Sequence, residues 1–491
     1  MGDSVVHCRD LDSGSGRDPL AQVRAKVSPR RSPGRVPIVS WVIHAGVLSL
    51  WIALFAAPFL LPGIWAWSTG LIYVAYDTAL LAFTFWQTLP LRVRTPGSDP
   101  VPSPGPMPSV GVLVAARDEA LVLPATLRAL LGQSDPPDLI MVVDDGSTDS
   151  TADLLGRLYG LMRPALGEVA TGPTRVRWLR LAGGGKARAL NAALPLIETD
   201  VVITVDADTM IDAGAIGAMR RAFAREPELV AATGVLVPVC ASTASGRVFQ
   251  RFQTYEYVRN FLSRYAWMRV GGLLLISGAF AGLRRAAVLE VGGFDPDCLV
   301  EDYELVHRLK RYGAMHDRGW TTRVVGAALA RTQAPSSMGS FLSQRRRWFG
   351  GFLQTQYWYR EMVGDGRYGA TGLAMLPVKA VDTLQPLYGL TALALLFGYI
   401  LRGRLSVLGP IMGVIVAKIV IDLAFQVWAI HLYRRWVGAS GAPSYRKAFA
   451  ASLVEPFTFQ ILRHIGAAWG WTAFLSGRQT WDRQRRTPST L

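Results

Sequence analysis

Val201-Val-Ile-Thr-Val-Asp-Ala-Asp208 is an apolar run that ends in two carboxylates one residue apart. It reads as a buried strand, and in open α/β sheets ligands gather at the carboxyl ends of the strands. Asp206 and Asp208 therefore stand where a ligand binds. A hard cation such as Mg²⁺ or Mn²⁺ takes oxygen ligands, typically one or two carboxylates plus phosphate oxygens. The pair reads as a divalent-metal site for a nucleotide diphosphate, with Asp208 the better ligand and Asp206 placed to orient a ribose or the metal's own partners. Two acids after a strand also make turns and helix caps, so the weight of this reading rests on the rest of the chain.

Working outward, short β-branched runs at Val110 to Val114, Leu139 to Val143 and Val176 to Leu181 alternate with helical stretches at Leu121 to Leu131, Thr151 to Leu161 and Ala187 to Ile197. Strand and helix at this spacing predict a parallel sheet with helices on both faces. Asp144 and Asp145, in Val142-Val-Asp-Asp-Gly-Ser-Thr-Asp149, sit where one strand gives way to a turn. A strand, a turn and a helix cap explain part of this stretch; a carboxylate left over can accept an N–H from a nucleobase edge. Gly183-Gly-Gly-Lys-Ala-Arg-Ala-Leu-Asn191 is not a phosphate-binding P-loop, because Ala187 stands where Ser or Thr is required. A glycine turn opening a helix remains, whose free N–H groups and Lys186 can hold anionic oxygens.

Glu301, Asp302 and Glu304 crowd the start of a helix expected over Tyr303 to Tyr312. Acids in a first turn stabilise a helix by ~0.3–1 kcal/mol, which accounts for some of them. One beyond that need, Asp302, can serve as a general base if its loop folds over the sheet edge. Gln344-Arg-Arg-Arg-Trp348 opens a helical segment with an aromatic side, the pattern of an interfacial amphipathic helix. In the same segment Arg347 can bind a diphosphate bidentately, and Trp348 offers a flat face for a sugar ring.

The chain has 491 residues, half of them hydrophobic, and a net charge of +16. Ile38 to Leu61 and Ile64 to Leu89 each reach the ~20 apolar residues that span a bilayer. Together they predict a helical hairpin turning at Pro62-Gly63. Arg30, Arg31 and Arg35 precede it, and Arg92 and Arg94 follow it, so the positive-inside rule puts both ends in the cytoplasm. A cleaved signal peptide is not expected. Leu384 to Ile400, Leu405 to Leu432 and the more polar Ala448 to Leu475, which contains Pro456, predict three later segments. An odd number of later crossings would place Arg478, Arg483, Arg485 and Arg486 outside, against the charge rule, unless the last segment is re-entrant. Lys418, Asp422, Glu455, Arg463 and His464 fall in these segments and either line a polar path or lie at the interface. The positive charge suits anionic lipid headgroups and diphosphates; without a nucleic-acid-binding motif, nucleic acid is not expected as a partner. Cys8, Cys240 and Cys298 are too few for a disulfide framework or a zinc site.

Taken in order, VVDDGSTDST, GGGKARALN, VDAD, SGAF at Ser277 to Phe280, VED at Val300 to Asp302, and QRRRW resemble the membrane-embedded family 2 glycosyltransferases, which include cellulose, hyaluronan and poly-N-acetylglucosamine synthases. The resemblance covers about residues 108–350. It implies an α/β GT-A (Rossmann-like) catalytic domain inserted between transmembrane helices, a UDP-sugar donor, Mg²⁺ or Mn²⁺, and an inverting displacement. Carried over by motif, Asp145 contacts the uracil, Lys186 is a donor-side lysine, Asp206 and Asp208 hold ribose and metal diphosphate, and Asp302 is the base. Gln344 and Arg347 then border the donor, while Trp348, Glu301 and Ser277 face the acceptor. Ala115-Ala-Arg-Asp-Glu119 replaces the family's Pro-Ala-Tyr-Asn-Glu, so Arg117 stands where a tyrosine stacks on the base and can stack through its guanidinium plane.

The expected organisation is a disordered basic tail at 1–36, two transmembrane helices at 37–90, a linker at 91–107, the GT-A domain at 108–335, interfacial helices at 336–371, about three transmembrane or re-entrant helices at 372–476, and a basic tail at 477–491. The expected function is transfer of a sugar to a growing polysaccharide at the cytoplasmic face of a bacterial plasma membrane. A single-transfer glycolipid synthase is the alternative, since ceramide glucosyltransferases also carry Q-x-x-R-W. A non-catalytic transport or assembly subunit is the alternative of another class. The acceptor is accordingly a saccharide or a lipid.

Overall fold

The computed structural model describes residues 18–93, 106–437 and 443–477. Cys8, Arg94, most of the expected linker, and the arginines after residue 477 lie outside them. Nine strands form one sheet: β1 Val110–Ala116, β2 Leu139–Asp145, β3 Val169–Thr171, β4 Val176–Leu181, β5 Val201–Asp206, β6 Thr209–Ile211, β7 Leu229–Val239, β8 Phe280–Arg284 and β9 Thr321–Gln333. Their order is β3-β4-β2-β1-β5-β8-β7-β9-β6.

The four strands read from sequence, β4-β2-β1-β5, are the parallel half. Beyond β5 the expectation of a parallel sheet is corrected. β8 runs antiparallel to both β5 and β7, so the sheet is mixed. Physically, β1, β2, β4 and β5 are joined by helical crossovers, which restore direction, whereas β7 reaches β8 through the long helix Ala244–Arg269 and an irregular stretch that return the chain from the opposite end. Val110, Val112, Val114, Val142, Val201 and Ile203 are fully buried, as expected where helices cover both faces.

Register sets the site. Ala115 pairs with Asp206, Ala116 with Asp144, and Asp145 with Leu181, so four strands finish level at one edge. The turn after β2 needs glycine: Gly146 has φ +75°, and a Cβ there would lie 2.8 Å from the Ala182 carbonyl oxygen.

Four helical stretches among the described residues are long and apolar enough to cross a membrane: Ile38–Leu60, Gly63–Arg92, Thr371–Leu401 and Ser406–Val437. The last expected segment breaks into Tyr445–Val454 and Phe459–Leu475 around Glu455–Phe457, where Pro456 removes a backbone donor. At 17 residues, Phe459–Leu475 is short for a span, and it packs along helix Met338–Trp358. Two later spans return the chain to the side of the sheet. On that side Trp436 packs on Tyr265 at 5.2 Å and Phe83 on Trp267 at 4.7 Å, so both helices end against the sheet domain. At the other end Trp67, Tyr399 and Ile411 form a separate cluster. The ionisable residues in these segments pair with one another: Lys418 meets Asp77 at 2.7 Å as well as Asp422, and Arg463 meets Glu455 at 2.7 Å.

The expected disordered tail is also corrected, for residues 18–36. Ala21–Val27 is helical, with Arg24 buried and donating to the Gly292 carbonyl at 2.8 Å. Arg30 bonds Asp297 at 3.0 Å and stacks over Trp358, and the Gly34 N–H donates to Glu361. Basic composition looked like disorder because two of the partners, the Gly292 carbonyl and Asp297, lie 268 and 267 residues away in sequence.

Candidate active site

The level strand ends open into one cavity of about 900 Å³. Arg117, Asp145, Lys186, Asp206, Asp208, Ser277, Glu301, Asp302, Gln344, Arg347 and Trp348 all line it. Sequence reasoning drew these residues from seven separate segments, and the fold brings them together.

At one end, Asp145 closes β2 with Arg117 at 3.7 Å, and its Oδ2 accepts the Gly185 N–H at 2.9 Å. Burial pushes this carboxyl above its ordinary range, and the Gly185 and Gly184 N–H groups with Arg117 only partly offset the rise. Its neighbour Asp144 does the turn's work instead, accepting the Ser147 N–H at 2.8 Å. The β1 loop is tied to the β2 loop by Asp118, whose Oδ1 accepts the Thr148 N–H at 2.7 Å. Asp118 has φ +57°, a left-handed conformation that costs a non-glycine residue of order 1–3 kcal/mol and recurs at functional sites.

Gly183 and Gly185 have φ +101° and +94°, making the sharp turn that aims helix Lys186–Ala193 at the cavity. Lys186 Nζ forms a salt bridge with Asp206 and lies 3.9 Å from Glu301. Burial alone would pull the ammonium down, but Asp206, Glu301 and Asp302 outweigh it and hold Lys186 protonated well above its usual value. Glu301 moves upward through burial, with Lys186 opposing and Asp302 reinforcing.

Asp206 and Asp208 close the strand with both side chains on the cavity wall. No group of three or more His, Cys, Asp or Glu among the described residues is arranged to hold a metal. Two carboxylates fit a divalent cation whose other positions are filled by substrate phosphate oxygens and water.

Asp302 is the second residue of helix Glu301–Met315, which starts two residues earlier than expected and takes all three acids into its first turn. Its Oδ2 accepts the Gly278 N–H at 2.6 Å and its Oδ1 accepts the Tyr303 N–H at 2.8 Å. A carboxylate has about four acceptor sites, so it can still take a proton from a ligand. Gly278 has no room for a side chain: a Cβ would lie 2.9 Å from Asp302 Oδ2. Replacing Gly278 by Ala should therefore swing the carboxylate away and lower turnover by ~10–100-fold, the scale of a misplacement near 1 Å. Steady-state rates of purified G278A against wild type, at matched melting temperature, check this; an unchanged rate would show that the contact does not set the geometry.

Behind this helix, Arg308 and Glu304 form an ion pair with no exposure of either side chain. Glu304 also accepts the Tyr359 hydroxyl at 2.6 Å, and Arg308 donates to the Val291 carbonyl at 2.7 Å. Across the cavity, Arg347 donates to the Leu299 carbonyl at 3.2 Å, tying the QRRRW helix to the loop before Asp302. Gln344 Oε1 is buried without a hydrogen-bond partner among the described residues, an acceptor left over for a ligand hydroxyl.

One wall was missed by sequence reading. Glu256, Tyr257, Asn260, Phe261, Arg264 and Trp267 line the cavity from helix Ala244–Arg269. Their spacing of three to four residues marks one helix face, which could have been read from sequence, but no neighbouring motif singled it out.

Residues 201–433 match the family described as "Glycosyl transferase family group 2". Among curated relatives, "Probable glycosyltransferase YdaM" of Bacillus subtilis (strain 168) is 27% identical over 258 residues, 49% of this chain and 54% of that protein. "Poly-beta-1,6-N-acetyl-D-glucosamine synthase" of Staphylococcus aureus (strain COL) is 27% identical over 237 residues, 48% of this chain and 52% of that protein. The chain thus spans about half the length of the curated relatives it matches. A solved structure, "Mannosyltransferase PcManGT from Pyrobaculum calidifontis in complex with GDP-Man and Mn2+", is 19% identical with a TM-score of 0.48, covering 85% of this chain and 99% of that one. Residues 201–433 thus match a family 2 glycosyltransferase domain, in a chain whose mixed sheet is flanked, among the described residues, by four apolar helices.

Proposed function

We propose that this enzyme transfers a sugar, with inversion, from a UDP-sugar to a growing polysaccharide at the cytoplasmic face of the membrane. The observation that carries this reading is that one cavity is lined by Asp145, Asp206, Asp208, Asp302 and Trp348 together, a set whose chemistries suit nucleobase, diphosphate, reacting centre and acceptor. In this reading Asp145 accepts the uracil N–H with Arg117 stacked beside it, and Lys186 neutralises diphosphate oxygens. Asp206 and Asp208 would hold Mg²⁺ or Mn²⁺, which when bound supplies charge neutralisation at the departing diphosphate. Asp302, fixed by the Gly278 N–H, takes the proton of the attacking hydroxyl as it displaces the diphosphate in one step. Ser277, Glu301, Gln344, Arg347 and Trp348 position donor sugar and acceptor around that line of attack. The cavity reaches Met375 and Lys379, at the start of the Thr371–Leu401 span, which favours an acceptor delivered or released at the bilayer.

The test is a panel of labelled UDP-glucose, UDP-N-acetylglucosamine, UDP-galactose and GDP-mannose with the purified protein in native-lipid vesicles containing Mn²⁺. High-polymer product from one UDP-sugar supports the reading. A single organic-extractable product would replace polymer by glycolipid synthesis, and turnover of GDP-mannose alone would overturn the uracil assignment.

A further inference from the structure

Glu256 is 5% exposed in its side chain and accepts two N–H groups from one guanidinium, Arg345 Nη1 at 2.7 Å and Nη2 at 2.9 Å. That paired geometry fixes the plane of the guanidinium as well as its position. The Arg345 group in turn lies 4.6 Å from the ring centres of both Phe341 and Trp348, four residues before and three after it on the same helix. The Trp348 indole therefore meets the cavity on a stack of fixed orientation. Glu256 is also approached by Arg463 at 3.8 Å; Arg463 bonds Glu455 at 2.7 Å, and Glu455 bonds Arg259 at 3.1 Å. The chain of charges runs from the cavity wall to the break in the last helix, Glu455–Phe457, in the membrane-flanking part of the fold.

We propose that Glu256 is a positioning residue for the acceptor: through Arg345 it sets the face that Trp348 presents, and through Arg463 and Glu455 that setting is anchored to the helices beside the membrane. A buried carboxylate with this many cations around it is not needed merely to hold two helices together, since a well-packed apolar contact does as well or better. What the ion chain adds is direction, because each pair is satisfied in one orientation only. The inference rests on the proposed acceptor role of Trp348 and extends it.

Two activities of the same preparation separate the possibilities: hydrolysis of the UDP-sugar to free sugar, which needs no acceptor, and transfer into product, which does. In E256Q, which keeps the size and loses the charge, the transfer-to-hydrolysis ratio should fall by roughly tenfold or more while hydrolysis and UDP affinity stay near wild type. In W348A the same ratio falls, and adding E256Q should cause no further drop, as for two residues acting as one unit. Equal loss of transfer and hydrolysis in E256Q, an additive loss in the double variant, or an unchanged ratio would each overturn the proposal. Should E256Q fold poorly, R345K offers the same reading, since it keeps the charge but not the paired contact. Wild type that neither hydrolyses nor transfers would count against the function proposed above, whereas wild type that does both while E256Q matches it removes only the role of Glu256.

Discussion

Asp302→Asn should lower sugar transfer by ~10²–10⁴-fold while leaving UDP affinity close to that of wild type. The substitution keeps the size of the side chain and an oxygen for the Gly278 N–H, which lies 2.6 Å from the carboxylate. What is lost is the capacity to take a proton as the acceptor hydroxyl attacks. The contrast with Asp208→Ala is part of the prediction, because that variant removes the carboxylate proposed to hold the metal diphosphate and should weaken UDP binding along with turnover. Titration of UDP with Mn²⁺ beside initial rates resolves the two. Transfer by Asp302→Asn at the wild-type rate would mean that another group accepts the proton.

Arg308→Met should destabilise the sheet domain by about 3–5 kcal/mol, the cost of leaving one member of a buried ion pair alone. Both Arg308 and Glu304 have zero side-chain exposure, so no water replaces the lost partner. For a domain of this size the loss corresponds to a melting temperature lower by on the order of 10 °C. It also has a pH signature. Burial already raises the Glu304 carboxyl, and Arg308 is the largest influence opposing that rise, so its removal raises it further. A carboxyl whose folded-state pKa lies above its unfolded value stabilises the fold below the unfolded value, near 4.5, and loses that contribution as pH rises towards the folded one. R308M should therefore fall further behind wild type at pH 8 than at pH 5. A melting curve in detergent that shows no pH-dependent gap would contradict this account of the pair.

Much of the site was legible because its residues sit next to strong local signals. Asp145, Lys186 and Asp206 each follow a β-branched run or a glycine turn, and period and punctuation alone place them at the sheet edge. The parallel half of the sheet was legible for the same reason. β7 and β9 were not assigned, although long and apolar, and β3 and β6, at three residues each, carry too little periodicity to read. The direction of β8 depends on how the chain returns after helix Ala244–Arg269, which no local pattern encodes. The wall carrying Glu256 escaped because its partner, Arg345, is 89 residues away in sequence. The order of residues 18–36 escaped likewise, because a basic stretch reveals nothing of the acids it will meet. Sequence left the last segment open between a span and a re-entrant piece, since packing against Met338–Trp358 needs the same apolar residues that lipid would.

The seam in the sheet at β5, where the antiparallel β8 interrupts the parallel pairing, also divides the chain's contributions to the cavity. The lining groups from Arg117 to Asp208, proposed to hold the nucleotide, come from one continuous stretch, whereas the rest of the lining is assembled largely from segments scattered between residues 256 and 379. Exchange of that first stretch between related enzymes should thus carry nucleotide preference as a cassette, while a change of acceptor demands concerted alteration at several distant places.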